Sequence, residues 1–456
     1  MIALIAILAA LSGLLVGYNT AVIAPVLDFV TADFGLDPVM QGVVVSSVLL
    51  GGLVGSLIAG TLIHRLGERS VLLLTALLFI VGPVGAALAE SVSSLLIWRT
   101  VTGLGVGAAT MVAPLYVSET APARLRGALV SVIQLAITVG ILLSYLTGAA
   151  WTPSGWWQAM LCVGALPGVL IVASVAALPE SPRWYLLHGR HADAARAHAR
   201  LTGGQGEELP LRIDASPDGN WRDLFRGRTR VVLIVAAGLF AFANLSGIDA
   251  ILYYAPVIFA HVGIGGALGP ILATAGIGTV NVIATIIAIG LIDRLGRRPL
   301  LIAGLVLMAL SLIALALALL GGRGSDWANM FAVACLCLFV TAFAVSLGPL
   351  PYVLMSELFP LALRGVGMGI ASATAWGVNV LVSLTFPVLV EAMGIALVFG
   401  LYGLVSVAAL VFVVVLVPET RGRSLELIEA NLVRGRSVRD LGLPLAAAAT
   451  TPGGRT

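Results

Sequence analysis

His64-Arg65-Leu66-Gly67-Glu68-Arg69 returns in the second half of the chain as Asp293-Arg294-Leu295-Gly296-Arg297-Arg298. Two further signatures return in the same order. Ser118-Glu119-Thr120-Ala121-Pro122-Ala123-Arg124-Leu125-Arg126-Gly127 is echoed by Ser356-Glu357-Leu358-Phe359-Pro360-Leu361-Ala362-Leu363-Arg364-Gly365. Pro179-Glu180-Ser181-Pro182-Arg183 is echoed by Pro418-Glu419-Thr420-Arg421. Self-similarity over such distances marks a duplicated architecture, and what lies between the repeats says which kind. The 456 residues are 59% apolar and only 10% charged, against about 25% charged in an average soluble domain. Too little charge is present to cover a water-soluble surface, which excludes that class, and the apolar content excludes disorder. Apolar runs near 2–30, 40–63, 71–89, 94–118, 127–149 and 158–178 are followed by a polar insert. Six more lie near 231–261, 267–292, 299–320, 329–355, 366–390 and 394–417. Each is long enough for the roughly 20 residues a bilayer crossing needs.

The expected fold is therefore an all-α polytopic membrane protein with twelve transmembrane helices in two six-helix pseudo-repeats. Residues 1–183 form the first bundle, 184–230 a cytoplasmic linker with short helices, 231–417 the second bundle, and 418–456 a cytoplasmic tail. Every one of the 25 basic residues is arginine, and 23 of them fall in the loops after the even-numbered runs. Excess basic charge marks cytoplasmic loops, so both termini are expected inside, in the cell (plasma or inner) membrane. The first run lacks a basic leader and a cleavage signature and is read as a helix, not a removable signal. Net charge is only +3 with no block of like charge, so nucleic acid is not an expected partner. Cys162, Cys335 and Cys337 all lie inside apolar runs, which argues against disulfides or a zinc site. No cofactor and no metal is expected. The histidines sit in loops or at helix ends with no nucleophile–base pair, so no enzyme is expected either.

Parallel six-helix repeats with a site at their midplane interface are a transporter architecture. The sequence is identified as resembling the sugar porter family of the major facilitator superfamily over nearly its whole length. That resemblance rests on Gly17-Tyr18-Asn19-Thr20-Ala21-Val22-Ile23, Arg99, the run from Pro114 to Gly127, Gln134, and Pro179 to Trp184. It also rests on the run from Leu245 to Tyr254, the Asp293–Arg298 turn, and Pro418 to Glu426. It implies alternating access of a sugar or polyol, by a monomer surrounded by lipid. Facilitative uniport leads, because Asn19 stands where proton-coupled members carry aspartate opposite the Arg99 position. Proton symport through Asp249 is the alternative, and a non-transporting solute sensor is the reading from a different class.

The candidate solute ligands also follow from side-chain chemistry. Sugar hydroxyls need amide or carboxylate partners, and the apolar ring face needs an aromatic platform. Gln134 and Ile137 share one helix face, as do Trp376 and Asn379. Asn281 is alone in an apolar run. Asn244 and Asp249 flank Ser246-Gly247, where a break could bring them together. Family members commonly carry tryptophan at the position of Tyr352 and two glutamines where this chain has Ala243 and Asn244. A wider pocket with a carboxylate on one side is expected. For Asp249 three roles compete: solute ligand, relocated proton site, and fixed partner of a polar neighbour. Asn19, Arg99 and Asp249 are the candidate coupling residues, and Tyr253 and Tyr254 a candidate outer gate. Arg65, Glu119, Arg126, Glu180, Arg183, Asp293, Arg294, Arg298, Glu357, Arg364, Glu419 and Arg421 are the candidate cytoplasmic latch. The pairs Gly51/Gly55, Gly103/Gly107 and Gly365/Gly369 mark expected close helix contacts.

Overall fold

The computed structural model describes the chain except residues 122, 203–220, 228, 267, 322–325, 360–362, 422–426, 429–430, 433, 435–438, 440 and 442–456. Among the described residues, twelve helices are long and apolar enough to cross a membrane. In the first half they are α1 (Ile2–Phe34), α2 (Pro38–Leu66), α3 (Glu68–Ala87), α4 (Val92–Thr120), α5 (Ser131–Ser154) and α6 (Trp157–Ala177). In the second half they are α7 (Thr229–Tyr253), α8 (Gly269–Ile292), α9 (Arg297–Leu320), α10 (Asn329–Met355), α11 (Val366–Met393) and α12 (Ile395–Leu416). Local chemistry sets their ends. The Asp37 carboxylate accepts from the Met40 amide at 2.7 Å with Pro38 just inside the helix, which caps α2. Ser91 caps α4 in the same way at 3.3 Å.

Within the first half, packing is carried by backbone approaching backbone. Gly51, Gly55, Gly103 and Gly107 interleave, each meeting the carbonyl or α-carbon of the facing helix, so α2 and α4 lie against each other as their spacing predicts. The third expected pair does not behave so: a side chain at Gly369 would meet no atom within 4 Å. α1 packs on α5 through Gly13, Gly17 and Gly140. Between lipid-soluble helices such van der Waals fit, and not the hydrophobic effect, supplies most of the association.

The halves meet along two seams, α2 with α11 and α5 with α8. On the first seam the Trp376 ring lies over Gly52, where an added β-carbon would stand 2.8 Å from the indole. On the second, Gly278 of α8 faces Leu142 and Tyr145 of α5. Trp376 and Ile137 each pack against both buried apolar clusters of the molecule.

Candidate functional site

Helix α7 is interrupted at its centre. The helix Thr229–Leu245 ends, Gly247 takes φ 84°, and Ile248–Tyr253 begins. Glycine is required there twice over, by the left-handed backbone and by the Tyr402 ring, which any β-carbon would overlap. The break re-aims the second segment so that the Asp249 carboxyl faces the Tyr253 hydroxyl and the Asn379 amide. Asn379, 8% exposed, also accepts from Ser383 Oγ at 3.1 Å. Tyr145 and Tyr352 stand within electrostatic range of the same carboxylate. Tyr352 is 55% exposed, its ring edge-on to Phe240 at 4.8 Å between centroids, so it borders open space beside Asp249.

Other expected ligands sit at comparable depth on their helices. Gln134 and Ile137 are partly buried on α5 and Asn281 is buried on α8. Trp376 is partly buried on α11, three residues before Asn379. The expected meeting of Asn244 with Asp249 is not what forms. The Asn244 amide donates to the Phe240 carbonyl at 2.7 Å, back along its own segment, while Asp249 turns toward α11. The carbonyl one turn back along the same segment satisfies the buried amide.

Arg99 and Asn19 are both buried, at 3% each, and their hydrogen bonds go to other partners. Arg99 Nε donates to the Val44 carbonyl at 3.0 Å on α2, and one terminal nitrogen has no hydrogen-bond partner among the described residues. Its polar surroundings are the ring hydroxyls of Tyr253 and Tyr254. Asn19 donates instead to the carbonyls of Leu15 at 3.0 Å and Gly164 at 3.2 Å. Gly164 lies between the two helical segments of α6, Trp157–Val163 and Leu166–Ala177. The break in α6 leaves that carbonyl available to the Asn19 amide.

At the end opposite the arginine-rich loops the paired tyrosines at the end of α7 are packed away from solvent. Tyr253 and Tyr254 are 6% and 2% exposed. The Tyr254 hydroxyl donates to the Ser383 carbonyl at 2.9 Å, and its ring lies 4.9 Å from Phe386. Across the seam, Tyr145 donates to the Leu252 carbonyl at 2.8 Å. Tyr145 and Ser383 were not among the expected site residues. Tyr145 follows Gln134 by about three helical turns on one face, a signal that could have found it; Ser383 contributes its backbone, which no side-chain pattern reveals.

At the arginine-rich end, the two halves carry matching charge networks. Glu180 accepts from the Arg69 amide at 3.0 Å, and Glu419 accepts from the Arg297 and Arg298 amides at 3.1 and 3.0 Å. Burial pushes the Glu180 carboxyl above the ordinary carboxylate range, against the pull of the Arg69 and Ser181 amides. Ser181 donates to Glu119, and Thr420 to Glu357. Arg183 approaches Glu119 at 3.7 Å, and Arg297 binds Glu357 at 3.1 Å. Arg298 donates to the Val414 carbonyl, and Arg421 offers its backbone amide to Glu419. Each of these contacts joins helices of one half only. Arg65 and Arg294 are exposed, and the side chains of Arg126, Asp293 and Arg364 lie outside the described residues.

Comparison with known proteins follows this geometry closely. A family model described as Sugar (and other) transporter matches residues 5–432. The glucose transporter GlcP of Staphylococcus epidermidis is 38% identical over 94% of this chain and 97% of its own length. The galactose-proton symporter of Escherichia coli K12 is 38% identical over 95% of both. The xylose transporter XylE of Escherichia coli, solved in a partially occluded inward open conformation, superposes with a TM-score of 0.81 at 30% identity. That superposition covers 93% of this chain and 99% of that one. A twelve-helix duplicated bundle with polar groups on broken helices at its centre defines a membrane transporter and not an enzyme. This chain belongs to the sugar porter family of the major facilitator superfamily. The relatives give no support to the sensor reading.

Proposed function

We propose that this protein carries a sugar or polyol across the cell membrane by alternating access, as a facilitative uniporter. The solute lies between the halves 1–183 and 231–417, joined by the linker 184–230, with the tail 418–456 and both termini on the cytoplasmic side. Gln134, Asn281, Asn379 and Asp249 bind hydroxyls, Trp376 and Tyr352 flank the ring, and Asn244 and Ile137 complete the walls. Tyr253 and Tyr254 are the outer gate, and the charge networks at the arginine-rich end govern the inner side. The protein works as a monomer in lipid.

The observation that carries the uniport reading is the pairing of Asn19. Both its amide hydrogens are committed to carbonyls, and an amide has no proton to exchange at neutral pH, so helix α1 supplies no coupling acid to Arg99. Proton symport through Asp249 is supported by a different observation. That carboxyl has hydroxyl and amide neighbours, and among the described residues no salt bridge neutralises it. Proteoliposomes given labelled hexose outside, under an inward proton gradient, separate the two. Uniport gives equilibration without accumulation, and Asp249→Asn then weakens downhill flux. Accumulation above equilibrium that vanishes in Asp249→Asn would replace uniport by symport at Asp249.

A further inference from the structure

The turns His64–Arg69 and Asp293–Arg298 differ at two positions, His64/Asp293 and Glu68/Arg297, and the second lies inside the charge network. Gly67 and Gly296 open the equivalent turns with φ 86° and 94°. Arg69 and Arg298 both reach back to carbonyls of the last helix of their half, Val175 and Val414. Glu119 corresponds to Glu357, Ser181 to Thr420 and Glu180 to Glu419. Between glycine and arginine, however, the second half has Arg297 and the first has Glu68. Arg297 gives its guanidinium to Glu357. Its counterpart places a third carboxyl where the guanidinium would stand.

Glu68 is 2% exposed, and its Oε2 has no hydrogen-bond donor among the described residues. The carboxyl comes within hydrogen-bond reach of Glu119 and within electrostatic range of Glu180 and Arg183. Among the described residues, which do not include the side chains of Arg124 and Arg126, the surrounding donors are otherwise engaged. Arg69 binds the Val175 and Ala176 carbonyls at 3.1 Å each, Arg200 reaches the Ala177 carbonyl at 3.3 Å, and Tyr116 donates to Pro179 at 2.7 Å. Arg183 is 60% exposed and 3.7 Å from Glu119, too solvated to neutralise two acids. Two carboxyls held against each other, one of them 2% exposed, repel when both are ionised, and a shared proton relieves that repulsion.

We propose that Glu68 and Glu119 hold one proton between them, forming a proton-binding site at the arginine-rich end of the first half that the second half lacks. Bound, the proton closes the α3–α4–α6 joint as Arg297 closes its counterpart. Released, it leaves adjacent negative charges at that joint, so alkaline conditions on that face loosen the first half. A proton that relieves the repulsion in the folded joint has no such role in the unfolded chain, so stability should fall as pH rises and the proton leaves. This site is separate from solute binding and stands whether the protein is a uniporter or a symporter.

Infrared difference spectra of the purified protein in liposomes, titrated from acid to alkaline pH in water and deuterium oxide, test it directly. The expected result is a protonated-carboxyl stretch that persists beyond ordinary carboxylate titration, shifts in deuterium oxide, and is lost in Glu68→Gln. Thermal melting of the same samples should fall with rising pH in the native protein and lose that slope in Glu68→Arg, which copies the Arg297–Glu357 pair. Glu68→Arg carries the test alone if Glu68→Gln does not fold. A carboxyl band unchanged in the variants, or melting slopes parallel to the native protein, would overturn the proposal.

Discussion

At the scale of single residues, the solute reading turns on groups whose removal leaves a partner stranded. Gln134→Ala should raise the half-saturating sugar concentration about 5- to 150-fold, because an unpaired buried polar group costs about 1–3 kcal/mol. Equilibrium binding of labelled hexose to purified protein checks it, and unchanged affinity in a well-expressed variant would make Gln134 a packing residue. Gly247 is sharper still. Gly247→Ala must hold alanine at φ 84° and overlap the Tyr402 ring, so the variant should lose at least about 1–2 kcal/mol from the left-handed backbone alone. A melting temperature equal to the native one would show that the α7 break can shift to relieve it. The need for glycine at 247 was legible as a break in an apolar run; its contact with Tyr402 was not, because nothing local points so far along the chain. Asn19 and Arg99 teach the same lesson. Their presence was plain, but which way each hydrogen-bonds depends on helix rotation and on the break at Gly164, and neither is written in residue type.

Helices are the scale at which the sequence was most informative. Apolar length placed twelve spans, and small residues four apart placed the α2–α4 contact correctly. The same spacing failed at Gly365/Gly369, since small residues permit close approach without supplying a neighbour to approach. Gly52 shows the converse, a glycine outside any noted pair that carries a seam through Trp376. Gly107→Val should therefore separate α2 from α4 and abolish folded, monodisperse protein in size-exclusion chromatography. Gly52→Ala should do less, displacing only the indole and altering transport rate more than expression. If both variants behaved alike, the two contacts would have the same structural weight, against the distinction between backbone and side-chain neighbours drawn here.

For the whole molecule, the charge networks bind helices within each half. Glu357→Gln removes the charge that holds Arg297, whose pair is 12% and 19% exposed, at a cost of about 1.5–3 kcal/mol for a charged hydrogen bond. The loss should fall on the stability of the second half and on turnover, leaving solute affinity nearly unchanged; flux and binding measured side by side decide it. A fall in affinity equal to the fall in turnover would place Glu357 in the solute pathway instead. Cysteines introduced in the linker near Asp193 should react with impermeant reagents only from the cytoplasmic side of sealed vesicles, as the arginine distribution requires.

The Trp376 ring resting on Gly52 has a mechanical consequence. The indole meets Gly52 through ring carbons and makes no hydrogen bond there, so under the alternating access proposed above the halves would tilt across it as a rocker turns on its bearing. On that reading the charge networks and glycine contacts keep each half stiff, and the give in the molecule lies along the line between them.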